Sequence, residues 1–179
     1  MRVSSTSFLI EEAVTAHSIM SKVASSVKRH DRAIILSCIV GVLISTYGLY
    51  VELTKEAHPE YRALCDIAEY ASCSKVLTSK YSKGFGVVSK DATLYLPNCI
   101  YGLVFYCLII FLTTFDNVFV VRILFILSST SVLGCFYLAY LLAFVLHDFC
   151  VVCVSTYIVN AFMFYFTYKK LNFITAKNK

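Results

Sequence analysis

The stretch ILFILSSTSVLGCFYLAYLLAFVLHDFCVVCVSTYIVNAFMFYFTY, residues 123–168, decides the fold. His147 and Asp148 are its only residues of the Asp, Glu, Lys, Arg and His set, and they split it into Ile123–Leu146 and Phe149–Tyr168. Each half has the length, about 20 residues, that a helix needs to cross the hydrocarbon core of a bilayer. Inside hydrocarbon a single segment satisfies its own backbone groups only as a helix. The stretch therefore predicts two membrane helices hinged at His147-Asp148.

Working outward, two more stretches lack those charged residue types: Ala33–Val51 and Ala92–Phe115, the apolar part of the latter beginning at Asn98. Asp116-Asn117 marks a tight turn before the third span, and residues 52–97 form the only long connection. The expectation is an all-α membrane protein, a four-transmembrane-helix bundle with a loop or cap after the first helix.

Composition agrees. Of 179 residues, 59% are hydrophobic and 15% charged, against about 45–50% and about 25% in an ordinary soluble domain. The net charge of +5 comes from basic tails flanking apolar runs. It is not a basic patch interleaved with aromatics, so nucleic acid is not expected. Arg2, Lys22, Lys28, Arg29 and Arg32 lie before the first span, Lys169, Lys170, Lys177 and Lys179 after the last, and Arg122 beside the second connection. The positive-inside rule puts both termini in the cytosol. The long loop and the His147-Asp148 turn then face a lumen or the exterior. Residues 1–30 mix Ser, Glu, Lys and Arg and do not read as a secretory signal peptide. The expected organisation is a mobile cytosolic N-terminal tail over 1–32, a membrane domain over 33–170 with its lumenal loop at about 54–97, and a cytosolic tail over 171–179.

Cys65 and Cys73 lie in the long loop, and Cys150 and Cys153 at the head of the last span. Counting spans puts both pairs on one side of the membrane, where disulfides form if the compartment is oxidising. Cys150-Val151-Val152-Cys153 is a C-x-x-C pair whose cysteines share a helix face. Asp148 is a candidate N-cap, and a helix N-terminus favours the reactive thiolate. Cys150, Cys153, Tyr157 and Asn160 make a polar stripe that should face the bundle interior. Two blander readings compete. A zinc site needs four ligands, and Cys65, Cys73 and His147 could join the C-x-x-C pair; the loop cysteines could also form a purely structural disulfide. Two pairs on one membrane face favour thiol–disulfide redox chemistry over either, with no metal. Cys38, Cys107 and Cys135 sit singly in spans and read as small hydrophobes. Cys99, beside Asn98, is a candidate pocket-lining residue.

The run Tyr61-Arg62-Ala63-Leu64-Cys65-Asp66, followed by Ser72-Cys73-Ser74-Lys75-Val76 and Gly84-Phe85-Gly86, resembles the lumenal loop of the vitamin K epoxide reductase family. Asn98 with Ile100-Tyr101-Gly102 and Phe105-Tyr106 is similar to that family's second helix. Tyr137-Leu138-Ala139, Asp148-Phe149-Cys150-Val151-Val152-Cys153 and Thr156-Tyr157 are similar to its third and fourth, and Ser45-Thr46-Tyr47-Gly48-Leu49-Tyr50-Val51 to its first. The resemblance covers about residues 36–170.

It implies a four-helix bundle in the endoplasmic reticulum membrane around a quinone pocket, reducing vitamin K 2,3-epoxide to the quinone and the quinone to the hydroquinone. No permanently bound cofactor is implied; vitamin K is the substrate. Cys150 and Cys153 would be the catalytic pair, Cys153 nearest the substrate and Cys150 resolving it. Cys65 and Cys73 would shuttle electrons from a thioredoxin-fold lumenal donor. The implied disulfides are Cys150–Cys153, Cys65–Cys73, and Cys73–Cys150 in an intermediate. Asn98 and Tyr157 match the family's hydrogen-bond donors to the substrate oxygens, and Phe105 an aromatic that packs on the naphthoquinone ring. Leu77, Tyr81 and the pocket residue Tyr101 depart from the vertebrate pattern of Phe, Trp and Phe. These departures bear on the affinity of coumarin-type inhibitors. Two rivals remain: a quinone-linked disulfide-generating enzyme running the same relay in the opposite direction, and a four-span scaffold with a structural loop disulfide.

Overall fold

A computed structural model describes residues 3–68, 70–89 and 92–177, with side chains for Ser25 and, within those ranges, from Val27 to Ala176. Arg2 and Lys179, part of the charge pattern above, lie outside the described residues. The chain is all-helical, and among the described residues no strand forms. Helix α1 spans Val3–Ala57, α2 Cys73–Leu77, α3 Asn98–Thr113, α4 Val118–Tyr140 and α5 Val151–Lys177, and a π-helical turn over Leu141–Leu146 extends α4.

Among the described residues, three segments are long and apolar enough to cross a membrane: Val27–Ala57, Val118–Leu146 and Val151–Ala176. Helix α3 is apolar but shorter, at 16 residues. Its start follows from Pro97, whose fixed φ and missing N–H suit the position before a helix.

The stretches read from sequence as tails continue α1 and α5 as helix. No Gly or Pro occurs before Gly41, so nothing interrupts α1 on its N-terminal side. Pro59 disfavours helix in the residue before it, and α1 ends at Ala57. The ammonium of Lys55 donates to the carbonyls of Pro59 (2.6 Å) and Tyr61 (2.8 Å), turning the chain into the loop.

Helix α1 packs on α3 and α5, and α4 packs on α5 and on α3. The contact of α1 with α3 is close because Gly41 has no side chain: a Cβ there would stand 2.5 Å from the Tyr106 ring. Gly48, two turns on, leaves room for the Cys99 sulfur, which would be 2.9 Å from such a Cβ. At the α3–α4 turn, Asn117 caps α4 by accepting from Phe119 N at 2.9 Å. At the other break, His147 takes a left-handed conformation (φ 50) and stops the π turn before α5 begins.

The loop after α1 folds over one end of the bundle in two parts. The first, residues 58–77, carries Cys65 and ends in α2. The second, residues 78–97, is a strap closed by Gly84 N donating to Leu96 O (2.9 Å) and by an isolated bridge between Lys83 and Pro97.

Candidate functional site

Asp66 organises the first part of the loop. Its carboxylate accepts from Ala63 N (2.8 Å), Ser72 Oγ (2.9 Å), Ser74 N (3.0 Å) and Ser74 Oγ (2.7 Å). Burial works to raise its pKa, but the hydrogen bonds from Ser74, Ala63 and Ser72 outweigh it and bring the value down to about 2. The knot clamps the strand of chain bearing Cys65 to the start of α2, where Ser72 is the N-cap. Cys65 and Cys73 are joined there by a disulfide, their Cα atoms 5.8 Å apart. Cys65 is partly exposed and Cys73 is fully buried.

The loop docks on the head of α5 through Phe149 N, which donates to Tyr70 O at 2.9 Å. The N-cap expected at Asp148 falls instead on Cys150. The amide of Cys153 donates to the Cys150 sulfur at 3.3 Å, and Val154 N to Cys150 O at 3.0 Å. Asp148 turns toward Lys75, 4.0 Å away. Cys150 therefore presents its sulfur to the free amides of a helix start, where negative charge is stabilised. The sulfurs of Cys150 and Cys153 lie 2.6 Å apart.

One apolar cluster contains all four of these cysteines. Cys73 and Cys150 are buried within it beside Val51, Leu77 and Val152, and Cys65, Cys99, Cys153 and Tyr157 pack against it. The sequence separates the loop pair from the helix pair by more than half of the span region; the fold brings them to one end of the bundle.

Below this cluster a cavity of about 620 Å³ opens between α3, α4, α5 and the strap. Cys153, Tyr157 and Asn160 of α5 line it, with Asn98, Cys99, Tyr101 and Phe105 of α3. The rest of the lining is chiefly aliphatic and aromatic, as is usual in small-molecule sites. Asn98 is tied to the strap: its Oδ1 accepts from Phe85 N (2.8 Å) and its Nδ2 donates to Tyr81 O (2.7 Å). An amide nitrogen carries two hydrogens, so one remains for the cavity. The Tyr157 hydroxyl makes no hydrogen bond among the described residues. Tyr101 donates to Leu94 O and its ring meets Phe85 at 5.3 Å, so it forms the strap-side wall. Tyr137 of α4 donates to Phe85 O at 3.3 Å, closing the strap from the opposite side. Tyr81 and Leu77 also line the cavity.

Sequence reasoning missed the floor. Tyr106, fully buried, donates to Asn160 Oδ1 at 3.1 Å, and Asn160 Nδ2 donates to the Cys135 sulfur at 3.1 Å. Cys135 is thus a hydrogen-bond acceptor on the cavity wall. Cys38 is buried against Met163, and Cys107 is exposed on the bundle's outside. Glu52 was missed as well. It closes the first charge-free run, which suggests a solvated helix end, yet it is fully buried beneath the strap.

Residues 32–168 match the model of the vitamin K epoxide reductase family. Over 138 residues the chain is 37% identical to vitamin K epoxide reductase complex subunit 1 of Rattus norvegicus, a match covering 75% of this chain and 86% of the relative. The protein of the same name from Mus musculus matches at the same identity and coverage.

Proposed function

The chain belongs to the vitamin K epoxide reductase family, and we propose that its two cysteine pairs form an electron relay ending at a quinone site in the cavity. It is a membrane oxidoreductase, a vitamin K epoxide reductase. The reading is carried by one observation: Cys65, Cys73, Cys150 and Cys153 meet in one packed cluster, and Cys153 alone of the four lines the cavity.

In the proposed cycle the Cys150/Cys153 dithiol gives two electrons and two protons. With the epoxide it yields quinone, water and the Cys150–Cys153 disulfide; with the quinone it yields hydroquinone and the same disulfide. Cys153 forms the bond to the substrate, and Cys150, as the thiolate that the helix start favours, attacks the Cys153 sulfur, so that the disulfide forms and the reduced substrate leaves. Tyr157 and the free hydrogen of Asn98 donate to the substrate oxygens from binding onward, and go on holding them as they gain charge. Phe105 and Tyr101 pack on the ring system. The Cys65/Cys73 dithiol then reduces Cys150–Cys153 through a Cys73–Cys150 intermediate. A thioredoxin-fold donor recharges the loop pair at Cys65, the partly exposed sulfur.

The same reading takes α1, α3, α4 and α5 as four membrane helices, with residues 33–170 as the domain and about 54–97 as a lumenal cap. Both termini are cytosolic, the membrane is that of the endoplasmic reticulum, and the cavity also takes coumarin-type inhibitors. The test is purified protein supplied with vitamin K 2,3-epoxide and a small dithiol. Quinone and hydroquinone are the expected products; no turnover would sink the reading.

A further inference from the structure

Glu52 lies on the last turns of α1 and is fully buried. Its Oε1 is 3.3 Å from Ser82 Oγ, and its Oε2 has no hydrogen-bond partner among the described residues. The cation beside it is already taken, since Lys83 Nζ is 2.7 Å from Glu56 Oε1. The titratable groups facing Glu52 are Glu56 on its own helix, Lys83 on the strap and the Cys99 thiol on α3.

Hydrogen bookkeeping bears on the state of this carboxyl. A serine hydroxyl has one hydrogen. Ser79 O, at 2.8 Å, is the nearer acceptor for Ser82 and takes it. The contact between Ser82 and Glu52 then needs its hydrogen from the carboxyl. A buried carboxylate with one bare oxygen and no free cation is costly, and the neutral acid is much less so.

Ser82 in turn carries Asn98, whose N–H donates to Ser82 O at 2.7 Å. The Asn98 side chain holds Phe85, which sits in the left-handed region at φ 56 and ψ 17. A non-glycine residue stays there only where its surroundings over-determine it. Glu52, Ser82, Asn98 and Phe85 thus form one chain of contacts from α1 to the strap over the cavity.

We propose that Glu52, as a neutral acid donating to Ser82, is a positioning residue that pins the strap and thereby aims Asn98 into the cavity. The proposal rests on the reading of Asn98 as a substrate ligand. It also gives the site a pH dependence. As pH rises and Glu52 ionises, the Ser82 contact is lost and the strap loosens.

The test uses the full chain in lipid or detergent with Glu52→Ala and Glu52→Gln. Two quantities are read on the acid and alkaline sides of neutrality: hydrogen exchange in the segments holding Phe85 and Asn98, and KM and kcat for vitamin K epoxide with a small dithiol. Glu52→Ala is expected to speed exchange and raise KM, each about tenfold, the size set by one lost buried hydrogen bond, with kcat changed less than KM. Glu52→Gln, a neutral isostere that still donates, is expected to restore both values and hold KM flat where that of the native protein climbs with pH. Exchange unchanged in Glu52→Ala overturns the proposal, and so does Glu52→Gln behaving like Glu52→Ala or keeping the native pH dependence. Faster exchange in Glu52→Ala with KM unmoved keeps Glu52 as the strap's anchor and sinks the assignment of Asn98 instead.

Discussion

The backbone amide of Cys153 points at the sulfur of Cys150, 3.3 Å away, so the first turn of α5 is capped by a cysteine sulfur at its own start. Cys150 is buried beneath the loop while Cys153 faces the cavity. The two sulfurs therefore have different surroundings and, in the proposed cycle, different work.

From this asymmetry, Cys153→Ala is expected to abolish epoxide reduction with any reductant, a protein donor or a small dithiol. The fold should survive, because the side chain is only partly buried and loses a single sulfur. Quinone formation by purified protein is the measurement, and appreciable turnover in the variant would exclude Cys153 as the substrate-side sulfur.

The loop pair gives a different pattern. Cys65→Ala and Cys73→Ala should lose activity with a thioredoxin-fold donor yet keep part of it with a membrane-permeant dithiol, which reaches Cys150–Cys153 without the relay. Assaying each variant with both reductants checks this. Equal loss with both would argue that the Cys65–Cys73 disulfide only holds the loop together.

Asp66 links loop stability to pH. Its pKa is lowered to about 2 from an ordinary 3.8, so its contribution is fully present above the ordinary value and is lost as pH falls through about 2. Loop stability should stay level from neutrality into mild acid and drop only below the usual carboxylate range. Asp66→Asn replaces an acceptor of four hydrogen bonds by a group that cannot accept them all, at a cost of about 1–3 kcal/mol. Limited proteolysis across residues 58–72 reads both effects; a native-like cutting rate in Asp66→Asn at neutral pH would contradict them.

The helical frame was legible because charge is excluded from hydrocarbon and marks the ends of each span. Asp116-Asn117 and His147-Asp148 fall at the breaks observed, and Pro97 fixes the start of α3 one residue on, at Asn98. Cys150 and Cys153 were legible as a pair, since C-x-x-C spacing has meaning on a helix, whereas the Cys65–Cys73 pairing was implied only by the family resemblance. What decides the loop was not. Asp66 is one acid among several in residues 52–97, and only the fold brings Ala63, Ser72 and Ser74 around it. The cap at Cys150 was misjudged as Asp148 because both stand ahead of α5 and Asp is the commoner cap. Glu52 and Lys170 each stand beside a charge-free run, where a charge is usually solvated. Burying either takes partners from other elements, and local sequence carries no trace of those.

Lys170 yields the last prediction. Far down α5 from the cysteines, its ammonium is completely buried, 2.7 Å from Asp31 Oδ1 on α1 and 3.1 Å from Asp116 Oδ1 at the α3–α4 turn. It also donates to Thr113 O at 2.9 Å, satisfying a carbonyl that the end of α3 leaves without a helical partner. One side chain thus joins α1, α3 and α5. Removing it as Lys170→Ala strands the half-buried Asp31 carboxylate and reopens the α3 terminus, and breaking such a pair costs about 3–5 kcal/mol. Asp116 is largely exposed and can recover its solvation, so the loss belongs mainly to Asp31. Thermal unfolding in detergent should therefore show a clearly lower midpoint for Lys170→Ala. The double variant Lys170→Ala/Asp31→Ala should recover part of it, because the stranded charge is gone. Activity per folded molecule should stay near native, since the knot lies at the end of the bundle away from Cys150 and Cys153. A midpoint unchanged in Lys170→Ala, or no recovery in the double variant, would mean that the pair is not what holds this end of the bundle.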